Sequence, residues 1–244
     1  MTIANDLATK GFVLYRNFFD DAEISIMEKE ILSKEHLCNK VNLGKVLPNA
    51  EEQLEDCQKI LTSQKVKEKL AFIDDLYLTS ITQAHINAFS NWHTDAGEAY
   101  GYYADVNSPE YHVYKMIFFT TKTDKSNCFA VVEGSHLNKN KQGKEILLET
   151  NPGDIVIFDT RLKHRGEIAS PIFKLVYYLS KLLNYKPQIS IDNNFISKLT
   201  KFLRIILKRP NRISLQFVFG KNNNLIKEYE KRAKEVEKAN LAIS

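Results

Sequence analysis

At 244 residues the chain has the length of one domain, or of one domain with an elaborated insertion. Hydrophobic residues make up 43% and charged residues 26%, which excludes disorder as the dominant state; the lack of a long uncharged apolar run excludes a polytopic membrane protein; and three scattered cysteines without CxxC spacing exclude a disulfide scaffold. The formal charge of +4 is unevenly spread: residues 170–211 hold eight Lys/Arg against one acid, Asp192, so this segment is +7 and the remainder −3, which points to an anionic partner for that segment.

The opening MTIANDLATKGF lacks a basic stretch followed by an apolar one, so the cytoplasm is the expected address, and the odd cysteine count suits a reducing compartment. GFVLYRNFF (11–19) reads as a strand after a turn glycine. Asp20 or Asp21 then caps a helix with Ile24, Met27, Ile31 and Leu32 on one face. Residues 51–70 suggest a second surface helix, and residues 71–90 turn to β texture with Tyr77, Thr79, Ile81 and Ile86. VYKMIFFTT (113–121) and Phe129–Val132 are strand candidates. ILLE (146–149) and DIVIF (154–158) flank an Asn151-Pro152-Gly153 turn. RISLQFVF (212–219) reads as a strand with period-two alternation, and 225–239 as a charged helix with Glu228/Arg232 and Glu230/Lys234 pairs. No internal repeat or low-complexity tract is present. Helices followed by many short strands predict a mainly β barrel or sandwich with flanking helices.

His93-Thr94-Asp95 puts an imidazole and a carboxylate on one side of an extended segment. With 6 histidines and 30 acids in the chain, that pair alone means little. The weight comes from PGDIVIFDTRLKHRG (152–166), where a tight turn feeds a buried strand and His164 follows its end. His93, Asp95 and His164 make up the two-histidine, one-carboxylate set of non-haem Fe(II), which leaves coordination positions open. Arg212 and Ser214, two apart on a strand, share a face and form a clamp suited to a distal carboxylate.

His93-x-Asp95, Glu133-Gly134-Ser135-His136, the PGD block ending at His164, and Arg212-x-Ser214 occur in that order. In this the chain resembles the phytanoyl-CoA dioxygenase family of Fe(II)/2-oxoglutarate oxygenases, over roughly residues 7–169 and 209–220. The resemblance implies a double-stranded β-helix, a cupin-like jelly roll with helices outside it. It also implies that His93, Asp95 and His164 hold Fe(II), that Arg212 with Ser214 binds the C5 carboxylate of 2-oxoglutarate, and that dioxygen is the oxidant. Glu133 stands where the family has proline, at a turn that is structural there. The expected reaction is hydroxylation of a C–H bond. Related halogenases replace the carboxylate at the position of Asp95 by a small residue, so its presence favours hydroxylation over halogenation. Between His164 and Arg212 the spacing is far longer than in the family, so 170–211 reads as a helical insertion in a single oxygenase domain. Arg165 and Arg209 stand as alternative partners for 2-oxoglutarate.

Several residues have plainer readings. His136 is expected to cap a turn, while His85, His112 and His36 are expected to have no chemical role. Cys128 reads as a small core residue. Tyr100, Tyr102 and Tyr103 follow the metal motif and suit either a substrate mouth or loop packing. FISKLTKFLRIILK (195–208) has Lys198, Lys201, Arg204 and Lys208 in one stripe and Phe, Leu and Ile elsewhere, a basic amphipathic helix. Residues 172–183 are similar. Such helices dock on the jelly roll or on a second subunit, or lie on a membrane surface; nucleic acid is not expected, because the block is too apolar to track phosphates. Peripheral membrane contact at the inner face would make a lipid-linked or cell-surface glycan intermediate an attractive substrate beside an ordinary small molecule. The reading from a different class is a non-catalytic jelly-roll module that binds a membrane or partner through 170–211.

Overall fold

The computed structural model describes residues 2–41, 43–47, 49–97, 106–138, 140, 142–167, 170–183, 193–209 and 211–243. Its helices are α1 (Ile3–Thr9), α2 (Asp21–Ser33), α3 (Ala50–Gln53), α4 (Glu55–Leu61), α5 (Gln64–Lys69), α6 (Pro171–Leu183), α7 (Asn193–Ile206) and α8 (Asn224–Ile243). Its strands are β1 (Phe12–Tyr15), β2 (Asn39–Val41), β3 (Gly44–Leu47), β4 (Leu76–Ile86), β5 (Val113–Phe119), β6 (Phe129–Val132), β7 (Glu145–Leu148), β8 (Ile155–Asp159), β9 (His164–Arg165) and β10 (Ile213–Lys221).

Local chemistry sets the entry to the fold. Asp20 caps α2 through a full capping box with Glu23, and Ile24, Met27 and Ile31 turn inward. Leu32, expected on that face, is exposed, because it sits one residue round the helix from Ile31. The single helix expected over 51–70 is instead three short ones. Leu54 breaks the first from the second with non-helical backbone, Ser63 caps the third, and Leu54, Leu61, Val66 and Leu70 are buried in the core. The Asn151-Pro152-Gly153 turn is held by Asp154, which accepts from the Asn17 and Asn151 backbone N–H groups and pairs with Arg16. Gly153 has φ +87°, and a Cβ there would stand 2.6 Å from the Phe19 carbonyl oxygen, so glycine is required.

The described strands form two antiparallel sheets. The larger has the order β1-β8-β5-β10-β4-β3-β2 and the smaller β7-β6-β9. They face each other across Ile117, Phe119, Phe129, Val131, Leu148, Val156 and Phe158. The result is the jelly roll expected from the sequence. A second core fills the outer face of the large sheet, where Met116, Phe118, Ile155, Ile157, Leu215, Phe217 and Phe219 meet α2 and the short helices α3–α5. Strands β5, β8 and β10 are therefore covered on both faces, which is why β5 and β8 carry almost continuous apolar runs. The period-two alternation read into 212–219 is present: Ile213, Leu215, Phe217 and Phe219 face the outer core, while Val218 belongs to a separate cluster. A bulge between Phe217 and Phe219 interrupts the β10–β4 pairing, and the Thr79 hydroxyl donates to the Val218 carbonyl there.

Helices α6 and α7 dock beside the metal-motif strands. The Phe173 ring lies 5.0 Å from that of Phe89. Glu167 is wholly buried, and its two oxygens accept from Arg204 Nη2 at 2.6 Å and Arg209 Nη1 at 2.8 Å. Arg204 thus leaves the exposed basic stripe expected from spacing, since a buried carboxylate requires a partner.

Candidate active site

His93 and His164 are joined by an isolated antiparallel bridge in which each backbone N–H donates to the other residue's carbonyl at 2.9 Å. This pairing crosses from the segment after β4 to β9, and it sets the two rings with centroids 4.4 Å apart. Asp95 lies two residues on from His93. Its Oδ1 is 3.6 Å from His93 Nε2 and 3.7 Å from His164 Nε2. One ligand atom from each of the three residues lies within 4.8 Å of the others, the group among the described residues that could hold a metal ion.

The imidazoles are oriented for that task. His93 Nδ1 is 2.8 Å from the Asn91 carbonyl and His164 Nδ1 is 2.8 Å from the Leu162 carbonyl. A carbonyl only accepts, so each Nδ1 carries the proton and each Nε2 offers its lone pair to the common point. Burial against Phe129 and Phe158 pushes His164 down to about 3, so it is neutral at physiological pH. Burial alone would raise the Asp95 carboxyl, but Lys115 first, then His164 and His93, outweigh it and hold the group well below the usual carboxylate range. A charged carboxylate and two imidazoles that turn Nε2 to the same point suit Fe(II).

Lys115, in the middle of β5, is only 3% exposed, and its Nζ lies 2.6 Å from Asp95 Oδ2. Sequence reasoning passed over this residue. The signal was present, because one lysine interrupts the otherwise apolar run of VYKMIFF. His85 sits opposite Ser214 in the β4–β10 pairing, and burial, with Arg212 and Lys115 nearby, lowers it to about 3. Its Nδ1 is 3.4 Å from Gln216 Nε2.

Of the three candidate arginines, two are paired with carboxylates. Arg165 Nη2 reaches Glu145 Oε1 at 2.8 Å and its guanidinium lies over Trp92, while Arg209 pairs with Glu167. Arg212 is buried, with its guanidinium over the Phe119 ring and Nη1 3.3 Å from the Ala88 carbonyl. Among the described residues no carboxylate pairs with it, and its Nε and the neighbouring Ser214 Oγ are buried without hydrogen-bond partners. Burial lowers the guanidinium to about 10, so it remains charged. Gly166 makes room, because a Cβ there would lie 3.3 Å from Arg212 Nη1.

The remaining expectations are resolved one by one. His136 Nε2 lies 3.2 Å from the Ala8 carbonyl, tying its turn to the end of α1. His36 bonds the Ser33 carbonyl, and His112 the Tyr114 hydroxyl. Cys128 is buried just before β6. Tyr100, Tyr102 and Tyr103 lie outside the described residues.

A jelly roll with this donor set, and with a buried guanidinium that pairs with no carboxylate among the described residues, has the form of the non-haem, 2-oxoglutarate-dependent enzymes. The fold is similar to that of the non-heme alpha ketoglutarate dependent epimerase SnoN from nogalamycin biosynthesis, with TM-score 0.60 and 13% identity over 90% of this chain and 81% of that one. It is similar to HygX from Streptomyces hygroscopicus, solved with nickel, 2-oxoglutarate and hygromycin B, with TM-score 0.59 and 11% identity over 91% and 88%. The carbocyclase SnoK gives TM-score 0.57 and 10% identity over 90% and 83%. Comparison with curated proteins gives no match. The model of the phytanoyl-CoA dioxygenase family matches residues 16–170, and the chain belongs to that family. Fe(II), 2-oxoglutarate and dioxygen are the family's cofactor and cosubstrates, and the residues present fit them.

Proposed function

We propose that the protein is an Fe(II)/2-oxoglutarate-dependent hydroxylase of a C–H bond in an organic substrate, with His93, Asp95 and His164 as its metal ligands. The observation that carries this reading is the convergence of these three donors in a chain whose buried Arg212 guanidinium pairs with no carboxylate among the described residues. When bound, Fe(II) with 2-oxoglutarate supplies dioxygen activation coupled to decarboxylation to succinate and CO2.

The protein's own residues supply position. The backbone bridge between His93 and His164 fixes the spacing of two donors before any metal arrives. The Asn91 and Leu162 carbonyls hold both rings in the tautomer that binds metal. Lys115 holds Oδ2 of Asp95, which leaves Oδ1, the oxygen facing both Nε2 atoms, for the ion. Arg212, with Ser214 Oγ beside it, binds the distal carboxylate of 2-oxoglutarate and so orients its keto acid end. Phe129, Phe158 and Phe119 exclude water from this side of the site.

The carboxylate at position 95 supports hydroxylation over halogenation. The test is a mass-spectrometric screen of substrate pools with Fe(II), 2-oxoglutarate and air. A product gaining one oxygen atom per succinate formed is expected. A product of unchanged mass, or one lacking two hydrogens, would replace hydroxylation by epimerisation or ring closure.

A further inference from the structure

We propose that the outer face of α6 and α7 docks the enzyme on an anionic lipid surface. Both helices keep large apolar side chains on the side that faces water. On α7 the residues turned inward include Thr200 and Arg204, the latter in a buried ion pair with Glu167. The outward residues include Phe202, Ile205 and Ile206, and Ile205 is 76% exposed. On α6, Phe173 and Val176 face the jelly roll while Ile172, Leu175, Tyr178 and Leu179 stay exposed. Docking therefore covers one side of each helix and leaves seven large apolar side chains uncovered on the others. An exposed apolar patch of this kind marks an interaction surface.

The charges around the patch choose the occupant. Lys174, Lys198 and Lys208 are exposed on the same two helices and the turn after them, as is Lys201, which also lies 3.9 Å from Glu35. From 170 to 211 the only acid is Asp192. A second copy of this chain meeting the patch about a twofold axis would set this basic face against the same basic face. An anionic bilayer satisfies both chemistries: apolar side chains enter the acyl boundary, and lysine stems reach back to the phosphates. Tyr178, exposed and amphipathic, suits the same depth. Among the described residues no helix is long and apolar enough to cross a membrane, so the helices would lie along the surface. The inference does not rest on the metal site; a lipid-linked substrate follows only when both readings hold.

The test is co-sedimentation of the full chain with vesicles of phosphatidylglycerol and phosphatidylcholine, and of phosphatidylcholine alone, at low and high salt. Binding to the anionic vesicles, weakened by salt and far weaker on neutral ones, is expected. Each basic residue near an anionic surface is worth roughly fivefold in partition, so Lys174→Ser with Lys198→Ser should lose about 25-fold. Leu175→Asp with Ile205→Asp should abolish binding while metal and 2-oxoglutarate binding in solution stay unchanged, because both residues are exposed and away from the donors. Absence of binding to anionic vesicles, or equal binding to both kinds, would overturn the proposal. So would self-association of the chain that the Leu175→Asp, Ile205→Asp variant removes, since the face would then belong to a second copy.

Discussion

Lys115 Nζ and Asp95 Oδ2 lie 2.6 Å apart, with both side chains almost wholly buried. The pair fixes which carboxylate oxygen is left for a metal. Outer partners of metal ligands typically contribute about 10–100-fold to metal affinity. Lys115→Met should therefore weaken metal binding by about that factor while the circular dichroism spectrum keeps its β form. An unchanged affinity, read by calorimetric titration with Ni(II) as a redox-inert probe, would remove Lys115 from the account.

His93→Ala, Asp95→Ala and His164→Ala should each abolish 2-oxoglutarate turnover. Each removes one of three donors, while the hydrophobic cores lie in other residues. Measured succinate formation in any variant that also retains its metal would remove that residue from the ligand set.

Arg212→Ala should raise the KM for 2-oxoglutarate at least tenfold. Removing one side of a buried guanidinium–carboxylate contact typically costs about 3–5 kcal/mol. Arg165→Ala and Arg209→Ala should leave that KM near the parent value, because Glu145 and Glu167 already pair with those side chains. A defect in Arg209→Ala with none in Arg212→Ala would reverse the assignment.

Glu167→Ala should release α6 and α7 from the jelly roll. The substitution leaves two inward-turned guanidinium groups, Arg204 and Arg209, without their carboxylate, at a cost of about 3–5 kcal/mol for a broken buried pair. Limited proteolysis should then cut within 170–211 much faster than in the parent chain. Equal cutting rates would mean that Phe173 and Val176 suffice to hold the helices.

The sequence was most legible where local chemistry acts alone. Asp20 announces its capping box, Gly153 its turn, and β6 its four apolar residues. The convergence of His93, Asp95 and His164 was legible through residue type and order, although Asp95 reaches the common point from a turn rather than from an extended strand. Three things were hidden because they depend on pairing between distant segments. The partner of Lys115 is Asp95, on another segment, and nothing local to β5 reveals it. Glu167 draws Arg204 inward across 37 positions, which overrides the exposed stripe that helical spacing alone predicts. The helix expected over 51–70 breaks because Leu54 and Leu70 are both taken into the core, and one straight helix is replaced by three short ones. The β2–β3 hairpin was unread, its strands being too short and polar to carry a period.

The most direct test of the central claim is anaerobic calorimetric titration of the purified chain, first with Ni(II) and then with 2-oxoglutarate. One metal ion per chain is predicted, with 2-oxoglutarate binding only after the metal and both events lost in Asp95→Ala. Metal binding of undiminished strength in Asp95→Ala, or 2-oxoglutarate binding that needs no metal, would contradict the account.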